Sequence, residues 1–199
     1  MKPWLWGPPV WHALFTCAIG AKTTAKVKVF NRIVFNLLTE ILPCPECRQH
    51  YVVNLPRATK RAGGKPKTAA QAFRLMWFLK DEVNRSVGRI SVPFEHIHER
   101  YHFHGDLLDE VALGDALVLT AIAMQCTHRE DEFVEFCDSL YSLIPFPEGS
   151  GLGELMCSIQ ENGIVADTVN AANAARIERG MATMTIADYK SRMDGGVNR

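Results

Sequence analysis

The chain has 199 residues, of which 47% are hydrophobic, so it can build a real core as one domain or as a small domain with an appendage. No apolar run reaches the roughly 18 to 20 residues that span a bilayer, and the first residues lack the pattern of a signal peptide. Six scattered cysteines are too few for a disulfide scaffold. Composition therefore predicts a soluble globular protein without membrane partners.

The formal net charge is zero, but its distribution along the chain is uneven. Residues 1–104 carry 16 Lys and Arg against 6 Asp and Glu, whereas residues 105–199 carry 6 against 16. A basic surface suits an anionic partner, which can be a nucleic acid, a phosphate-bearing cofactor or the acidic half of the same chain. Because no nucleic-acid-binding motif occurs, nucleic acid is not the expected partner.

Helical spacing of apolar residues dominates the basic half, and strand patterns are absent. The pattern predicts five helices. These begin with Pro8 and Pro9 in a first turn, continue from Val27 to Ile41, from the cysteines at 44 and 47 to about Asn54, from Ala69 to Val87, and from Pro93 to about His102. The Gly- and Lys-rich stretch from Arg57 to Lys67 predicts a flexible basic loop.

The composition turns acidic and alanine-rich after His104-Gly105-Asp106, which we take as a domain boundary. Further helices are expected over Asp109–Cys126, Asp131–Leu143, Gly153–Gln160 and Val165–Arg179, and after a capping box at Thr185, with a frayed tail from Asp194. The sequence therefore predicts an all-α fold. It comprises a compact bundle of four helices plus a short fifth over residues 1–104, and a second helical domain over residues 105–199.

The densest chemistry lies in Cys44-Pro45-Glu46-Cys47. Two thiols two residues apart at a helix start are close enough to form a disulfide. The free amides there favour a thiolate, which predicts a lowered thiol pKa. Zinc sites use the same spacing, with His50 or the histidines between 96 and 104 as further ligands, so a structural zinc site stays open. A thioredoxin-like domain needs a strand before the pair, where this chain predicts a helix.

A two-electron dithiol needs an electron acceptor, and a flavin is the natural one. Its ring would lie among the aromatic residues of the predicted helices, and its diphosphate against Lys or Arg. The aromatic, basic and amide residues that form such a strip are Trp11, Trp77, Lys80, Asn84, Arg89 and Tyr101.

Several blocks in order resemble the Erv/ALR sulfhydryl oxidases. Trp6-Gly7-Pro8-Pro9-Val10-Trp11-His12-Ala13-Leu14 is similar to the opening helix of that family. Pro43-Cys44 through Tyr51 is similar to its Pro-Cys-x-x-Cys-x-x-His-Tyr block, and Val83-Asn84 through Arg89 to its Val-Asn-x-x-Leu-Gly-Lys block. Glu99-Arg100-Tyr101 follows at the family's distance. The resemblance covers about half the chain, from Trp6 to Tyr101.

The resemblance implies a homodimeric, FAD-binding helical domain that forms disulfides in protein substrates and reduces oxygen to hydrogen peroxide. Cys47 would contact the flavin and pass electrons to it, and Cys44 would exchange disulfides with a protein dithiol. Nine residues would line FAD: Trp11, Phe15, His50, Tyr51, Trp77, Lys80, Asn84, Arg89 and Tyr101. No metal is implied. The alternatives are a weakly active helical scaffold or the zinc domain.

The chain departs from the family pattern at three positions. Phe15 replaces a histidine, and Lys80-Asp81 replaces His-Asn, which predicts altered FAD affinity with Phe15 stacking and Lys80 reaching a phosphate. Cys126 and Cys137 are the only candidates for a shuttle pair, and Cys17 and Cys157 are interpreted as packing residues.

The expected location of the protein follows from the missing signal peptide. It is the cytoplasm, which for a viral member means the host cytoplasm or the virion, with the mitochondrial intermembrane space as a further setting. Large DNA viruses are one setting in which such an oxidase carries an unfamiliar extension.

Overall fold

The computed structural model describes residues 3–102, 108–146, 148, 150–156 and 163–194. All regular elements in these ranges are helical, which confirms the all-α prediction. The helices are α1 (Pro3–Gly20), α2 (Thr24–Arg32), α3 (Leu38–Ile41), α4 (Pro45–Arg61), α5 (Ala69–Ser86), α6 (Phe94–His102), α7 (Glu110–Gln125), α8 (Glu130–Leu143), α9 (Gly151–Met156), α10 (Ile164–Glu178) and α11 (Ile186–Asp194). In this part of the chain no helix is long and apolar enough to cross a membrane.

The first helix begins earlier than the sequence pattern predicts. Pro8 and Pro9 lie inside α1 rather than in its first turn, so that prediction was wrong. Each proline lacks the amide hydrogen that would bond to the carbonyl four residues earlier. One of those carbonyls belongs to Trp4. Because Trp4 is 63% exposed, water has access to that region of the helix.

The predicted second helix is present but contains one wider turn. The Thr23 hydroxyl caps α2 by accepting a hydrogen bond of 3.3 Å from the Lys26 amide. A π-helical turn over Ile33–Leu37 then joins α2 to α3. The buried Tyr51 hydroxyl donates a hydrogen bond of 2.7 Å to the Val34 carbonyl in that turn. Tyr51 thus ties α4 to the wider turn.

The fourth helix runs to Arg61 and passes through Pro56, although the sequence predicted its end near Asn54. The predicted loop was therefore wrong for residues 57–61. Leu55 and Ala58 are buried, and α4 packs along α5, so burial of this face outweighs the hydrogen bond that Pro56 cannot donate. Helix α4 ends before Gly63 and Gly64, whose φ angles are 85° and 116°.

Helix α1 lies at the centre of the structure and contacts both halves of the chain. It packs against α5 on the basic side and against α7 and α8 on the acidic side. One apolar cluster includes Phe30 and Phe73 as well as Leu117 and Phe133. The predicted boundary at 104–106 lies outside the described residues. On either side of it, the described parts of the two halves share a core.

The helices of the acidic half follow the prediction to within about two residues where they are described. The capping box at the start of α11 is confirmed: the Thr185 hydroxyl accepts from the Asp188 amide at 3.2 Å, and the Asp188 carboxylate accepts from the Thr185 amide at 2.7 Å. Helix α9 begins at Gly151, and the rest of the stretch predicted as helix to Gln160 lies outside the described residues, as does the tail after Asp194.

Candidate functional site

A cavity of about 400 Å³ lies between α1, α5 and α6. This volume falls in the range of roughly 300 to 1,000 Å³ that is typical of small-molecule sites. Six of the nine residues that the sequence assigned to a cofactor line it: Trp11, Phe15, Trp77, Lys80, Asn84 and Tyr101. We refer to this space, bounded by those six residues, as the aromatic cavity.

Helical periodicity explains how these residues come to one place. Trp11 and Phe15 are four residues apart on α1, and Lys80 and Asn84 are four apart on α5, so each pair shares a helix face. Tyr101 on α6 stacks on Phe15 with ring centroids 5.1 Å apart and an interplanar angle of 27°. The stacking role expected for Phe15 thus has a partner within the protein.

The charged group of Lys80 lies inside the aromatic cavity, with its Nζ 4.6 Å from the centroid of the Trp11 ring. Burial of the ammonium, together with the nearby positive charge of Arg89, lowers the pKa of Lys80 to about 8. Within the described ranges no carboxylate lies within ion-pair distance of Lys80. The cation is therefore available to an anionic ligand.

The neighbouring Asp81 does not neutralise Lys80, because its carboxylate is engaged elsewhere. Arg61 and Arg85 contact Asp81 at 2.6 Å and 3.0 Å. Burial acts to raise the pKa of Asp81, but the hydrogen bonds from Ser91 and Arg61 outweigh it, and the pKa lies below its usual value. Asp81 therefore joins α4 to α5 as a structural anion.

His12 was missed by sequence reasoning and lines the aromatic cavity beside Trp11. Its Nε2 atom is buried and has no hydrogen-bond partner among the residues that the structure describes. Its ring packs edge-on against Tyr101, with centroids 5.1 Å apart. A buried polar atom without a partner carries a free-energy cost that a ligand can remove. The signal available in the sequence was its place next to Trp11 in the opening block.

The cysteine pair lies where the sequence predicted, at the start of α4. Cys44 is the N-cap residue and Pro45 occupies the first helical position. The Cys47 amide donates a hydrogen bond of 3.3 Å to the Cys44 sulfur. Both cysteines are free thiols in the structure. This amide bond is the feature of the helix start that favours negative charge on the Cys44 sulfur.

For Cys47 the predicted lowering of the thiol pKa was wrong. Burial is the largest cause that raises the pKa of Cys47 to about 12, followed by the hydrogen bond and charge of Cys44 and by the charge of Glu46. A thiolate on Cys44 and the carboxylate of Glu46, both within one turn, disfavour a further negative charge on Cys47. Reduced Cys47 is therefore a thiol at neutral pH in this conformation.

The two sulfurs also differ in exposure from what the family resemblance implies. Cys44, expected to face a substrate, is only 7% exposed, whereas Cys47 is half-buried. The reason is that the Cys44 side chain turns back over the first turn to accept the Cys47 amide hydrogen. Of the pair, Cys47 is the more accessible in the reduced state.

Five of the predicted site residues are not among the described residues that line the aromatic cavity: Cys44, Cys47, His50, Tyr51 and Arg89. His50 is exposed, and Arg89 is exposed near Lys80. Tyr51 is buried, which raises the pKa of its phenol, and its hydroxyl donates to the Val34 carbonyl. The structure thus brings together the aromatic and basic part of the predicted site but not the cysteine block.

The remaining cysteines do not form a shuttle pair in the structure. Cys126 is exposed, but Cys137 is fully buried and burial raises its thiol pKa, so a protein substrate has no access to it. Cys17 is buried, as a packing residue should be, and Cys157 lies outside the described residues. No three His, Cys, Asp or Glu side chains converge on a metal position in the part of the chain that the structure describes.

These observations define a class of protein: an all-α protein with a cysteine pair at a helix start and a separate aromatic cavity lined by a partly buried lysine. Comparisons of the chain with protein-family models, curated proteins and solved structures find no significant match. The resemblance to the sulfhydryl oxidases therefore rests on the sequence blocks alone. The geometry of the site is a separate observation.

Proposed function

We propose that the protein is an FAD-dependent sulfhydryl oxidase that forms disulfide bonds in protein substrates, with oxygen as the final electron acceptor. The observation that carries the proposal is the aromatic cavity. Residues that the sequence assigned to a cofactor on separate stretches of chain line one space. That space contains Lys80, which has no carboxylate within ion-pair distance among the described residues. The protein substrate, the homodimer and the cytoplasmic location stay predictions.

The residues of the aromatic cavity fit the chemistry of FAD. The stacked rings of Phe15 and Tyr101 and the ring of Trp11 offer flat apolar surfaces for a ring system. Lys80 offers a positive charge to a diphosphate. The buried Nε2 of His12 offers one hydrogen bond that no group in the described part of the chain takes up. When bound, FAD supplies an acceptor for two electrons, which it transfers to oxygen to give hydrogen peroxide.

The cysteine pair would carry out the thiol–disulfide chemistry. In the oxidised protein a substrate thiolate attacks one sulfur of the Cys44–Cys47 disulfide, forming a mixed disulfide and releasing the other sulfur as a thiolate. The second substrate thiolate then attacks the mixed disulfide. The substrate leaves as a disulfide, and the cysteine pair has gained the two electrons that the substrate lost. The hydrogen bond from the Cys47 amide would stabilise a thiolate on Cys44.

The experiment that tests the proposal uses the purified full chain. We expect the visible spectrum of an oxidised flavin, and uptake of oxygen with release of hydrogen peroxide when dithiothreitol is added. Cys47→Ser should abolish oxygen uptake and leave the flavin spectrum in place. Cys126→Ser, which removes an exposed free thiol, is the matched control and should keep full turnover.

Two results would overturn the proposal. One is a colourless protein that binds no added FAD. The other is a yellow protein whose oxygen uptake survives in Cys47→Ser.

Trapping the mixed disulfide with a substrate peptide in Cys44→Ser and in Cys47→Ser shows which sulfur is attacked first. The resemblance assigns this role to Cys44, and the exposures favour Cys47.

A catalytically weak scaffold is the second candidate, and the raised pKa of Cys47 favours it, because the thiolate is the reactive form of a cysteine. Under this alternative the cavity could still bind FAD. Replacing Cys47 with alanine would then change neither turnover nor partner binding. Pull-down of a partner that depends on the acidic half, without dithiol oxidation, would support it.

A further inference from the structure

The acidic half contributes directly to the aromatic cavity. Besides the residues of α1, α5 and α6, its lining includes Leu108, Asp109 and Ala112. Asp109 is the N-cap of α7 and accepts a hydrogen bond of 3.1 Å from the Ala112 amide. The first turn of α7 therefore forms part of the cavity wall, and α1 packs against both α5 and α7.

This wall is held in place by charged and polar side chains of the acidic half. Asp115 lies one turn after Ala112 and binds three side chains from α10 and α11, which with Asp115 we refer to as the Asp115 network. All three contact the Asp115 carboxylate. The distances are 2.6 Å for Arg176, 2.6 Å for the Tyr189 hydroxyl, which donates a hydrogen bond, and 3.1 Å for Arg192.

Close helix packing adds to this restraint. A Cβ atom at Gly114 would meet the Cα atom of Ala172 on α10 at 2.9 Å, so the two helices touch at the backbone. Helix α7 is thus anchored to α10 and α11 within one turn of the residues that line the aromatic cavity. A wall held in this way can set the size of what enters.

We infer that the first turn of α7 is part of the cofactor site, and that the small side chain of Ala112 sets the room available to FAD. This inference rests on the proposed function and assigns a role to the acidic half: it completes the flavin site instead of serving only as an appended module. Enlarging residue 112 should then obstruct FAD without touching the cysteine pair.

The test compares two substitutions on the same helix. Ala112→Leu adds bulk in the cavity wall, whereas Ala123→Leu adds the same atoms to a half-buried alanine eleven residues further along the same face of α7, outside the cavity lining. We expect Ala112→Leu to weaken FAD binding about tenfold or more, measured by titration of the apoprotein with FAD, because overpacking of a preformed site is costly. Ala123→Leu should bind as the unsubstituted chain does.

A second measurement needs no variant. Addition of FAD to the unsubstituted apoprotein should slow amide hydrogen exchange in the first turn of α7, around residues 110–113, more than in α8, which does not line the cavity. Circular dichroism melting of both leucine variants shows whether they fold. If Ala112→Leu does not fold, the exchange measurement decides alone.

The outcomes separate this inference from the function on which it rests. If the unsubstituted chain binds no FAD, the proposed function fails. If it binds FAD, but Ala112→Leu binds equally well or FAD leaves the exchange of the α7 turn unchanged, the function stands and the role of the acidic half is refuted. Weaker binding in Ala112→Leu alone, together with slower exchange in the α7 turn, supports the inference.

Discussion

Lys80 in the basic half and Arg176 in the acidic half are both cations removed from solvent, yet their surroundings differ. Arg176 has a side chain only 6% exposed and lies against Asp115. Burial acts to lower its pKa, but the hydrogen bonds with Asp115 and Tyr189 raise it. Lys80 has no such anion in the described ranges, and burial lowers its pKa to about 8.

The difference teaches how the two halves use buried polar groups. In the Asp115 network of the acidic half, charge is matched within the protein and holds helices together. In the aromatic cavity, Lys80 lies over the Trp11 ring but has no carboxylate within ion-pair distance among the described residues, where the Nε2 of His12 also has no hydrogen-bond partner. A bound anion with a hydrogen-bonding group would remove the resulting cost in stability. Polar groups without a partner in a cavity therefore indicate a ligand-binding site. Buried polar groups that are paired indicate a structural role.

The largest effect is expected from breaking the Asp115 network. Asp115→Ala leaves Arg176 buried without its anion, so we expect the free energy of unfolding in urea to fall by about 3 to 5 kcal/mol. Glu135→Ala is the control. It breaks the Arg32–Glu135 ion pair, whose side chains are 50% and 44% exposed, and should leave stability unchanged within error. Equal losses in the two variants would refute the framework role.

The close contact between the halves gives a smaller effect. A Cβ atom at Gly20, at the end of α1, would collide with the backbone carbonyl of Leu143, at the end of α8. Gly20→Ala should therefore lower the unfolding free energy by about 1 to 3 kcal/mol, since backbone atoms must shift. Gly7→Ala, on the same helix with open space around it, should be neutral or stabilising by helix propensity. A Gly20→Ala protein with the same unfolding free energy as the unsubstituted chain would show that the halves do not meet there.

Removing the unmatched cation should affect binding more than folding. Lys80→Met keeps an unbranched side chain and removes the charge, so FAD should bind about tenfold more weakly in a titration of the apoprotein, the loss expected for one charge-assisted contact. Lys65→Met is a matched control, because the Lys65 ammonium also lies 4.6 Å from an aromatic ring, that of Phe35, but outside the cavity lining. Unchanged FAD binding in Lys80→Met would mean that the lysine does not face the diphosphate.

The pH dependence gives the finest distinction, because Lys80 should act with opposite signs on stability and on binding. Its pKa is about 8 in the folded protein against an ordinary value of 10.5, so between these values the unfolded chain holds a proton that the folded chain has lost. The contribution of Lys80 to the stability of the apoprotein therefore rises with pH across that window. FAD affinity should fall as pH rises through about 8, since a neutral amine no longer attracts phosphate.

Urea unfolding and FAD titration at several pH values measure these two trends, and Lys80→Met serves as the reference without the group. Both pH dependences should flatten in that variant. If the affinity of the unsubstituted chain does not fall above pH 8, the ammonium of Lys80 takes no part in binding.

Local signals in the sequence determined the class of fold and the parts of the site that share one element. Apolar spacing predicted the helices, the capping box at Thr185 predicted the start of α11, and Pro45 after Cys44 predicted a helix start at the cysteine pair. These predictions succeed because periodicity and capping depend on neighbours a few residues away.

Only the tertiary structure decided which polar groups would find partners. Four features of the described residues depend on packing between distant segments. They are the Nε2 of His12 without a hydrogen-bond partner, Lys80 without a carboxylate in ion-pair distance, the burial of Cys44, and the presence of Ala112 in the cavity wall. The continuation of α4 through Pro56 has the same origin, because burial against α5 outweighs a local helix breaker. Burial and charge pairing are properties of the assembled helices, so no local pattern in the chain encodes them.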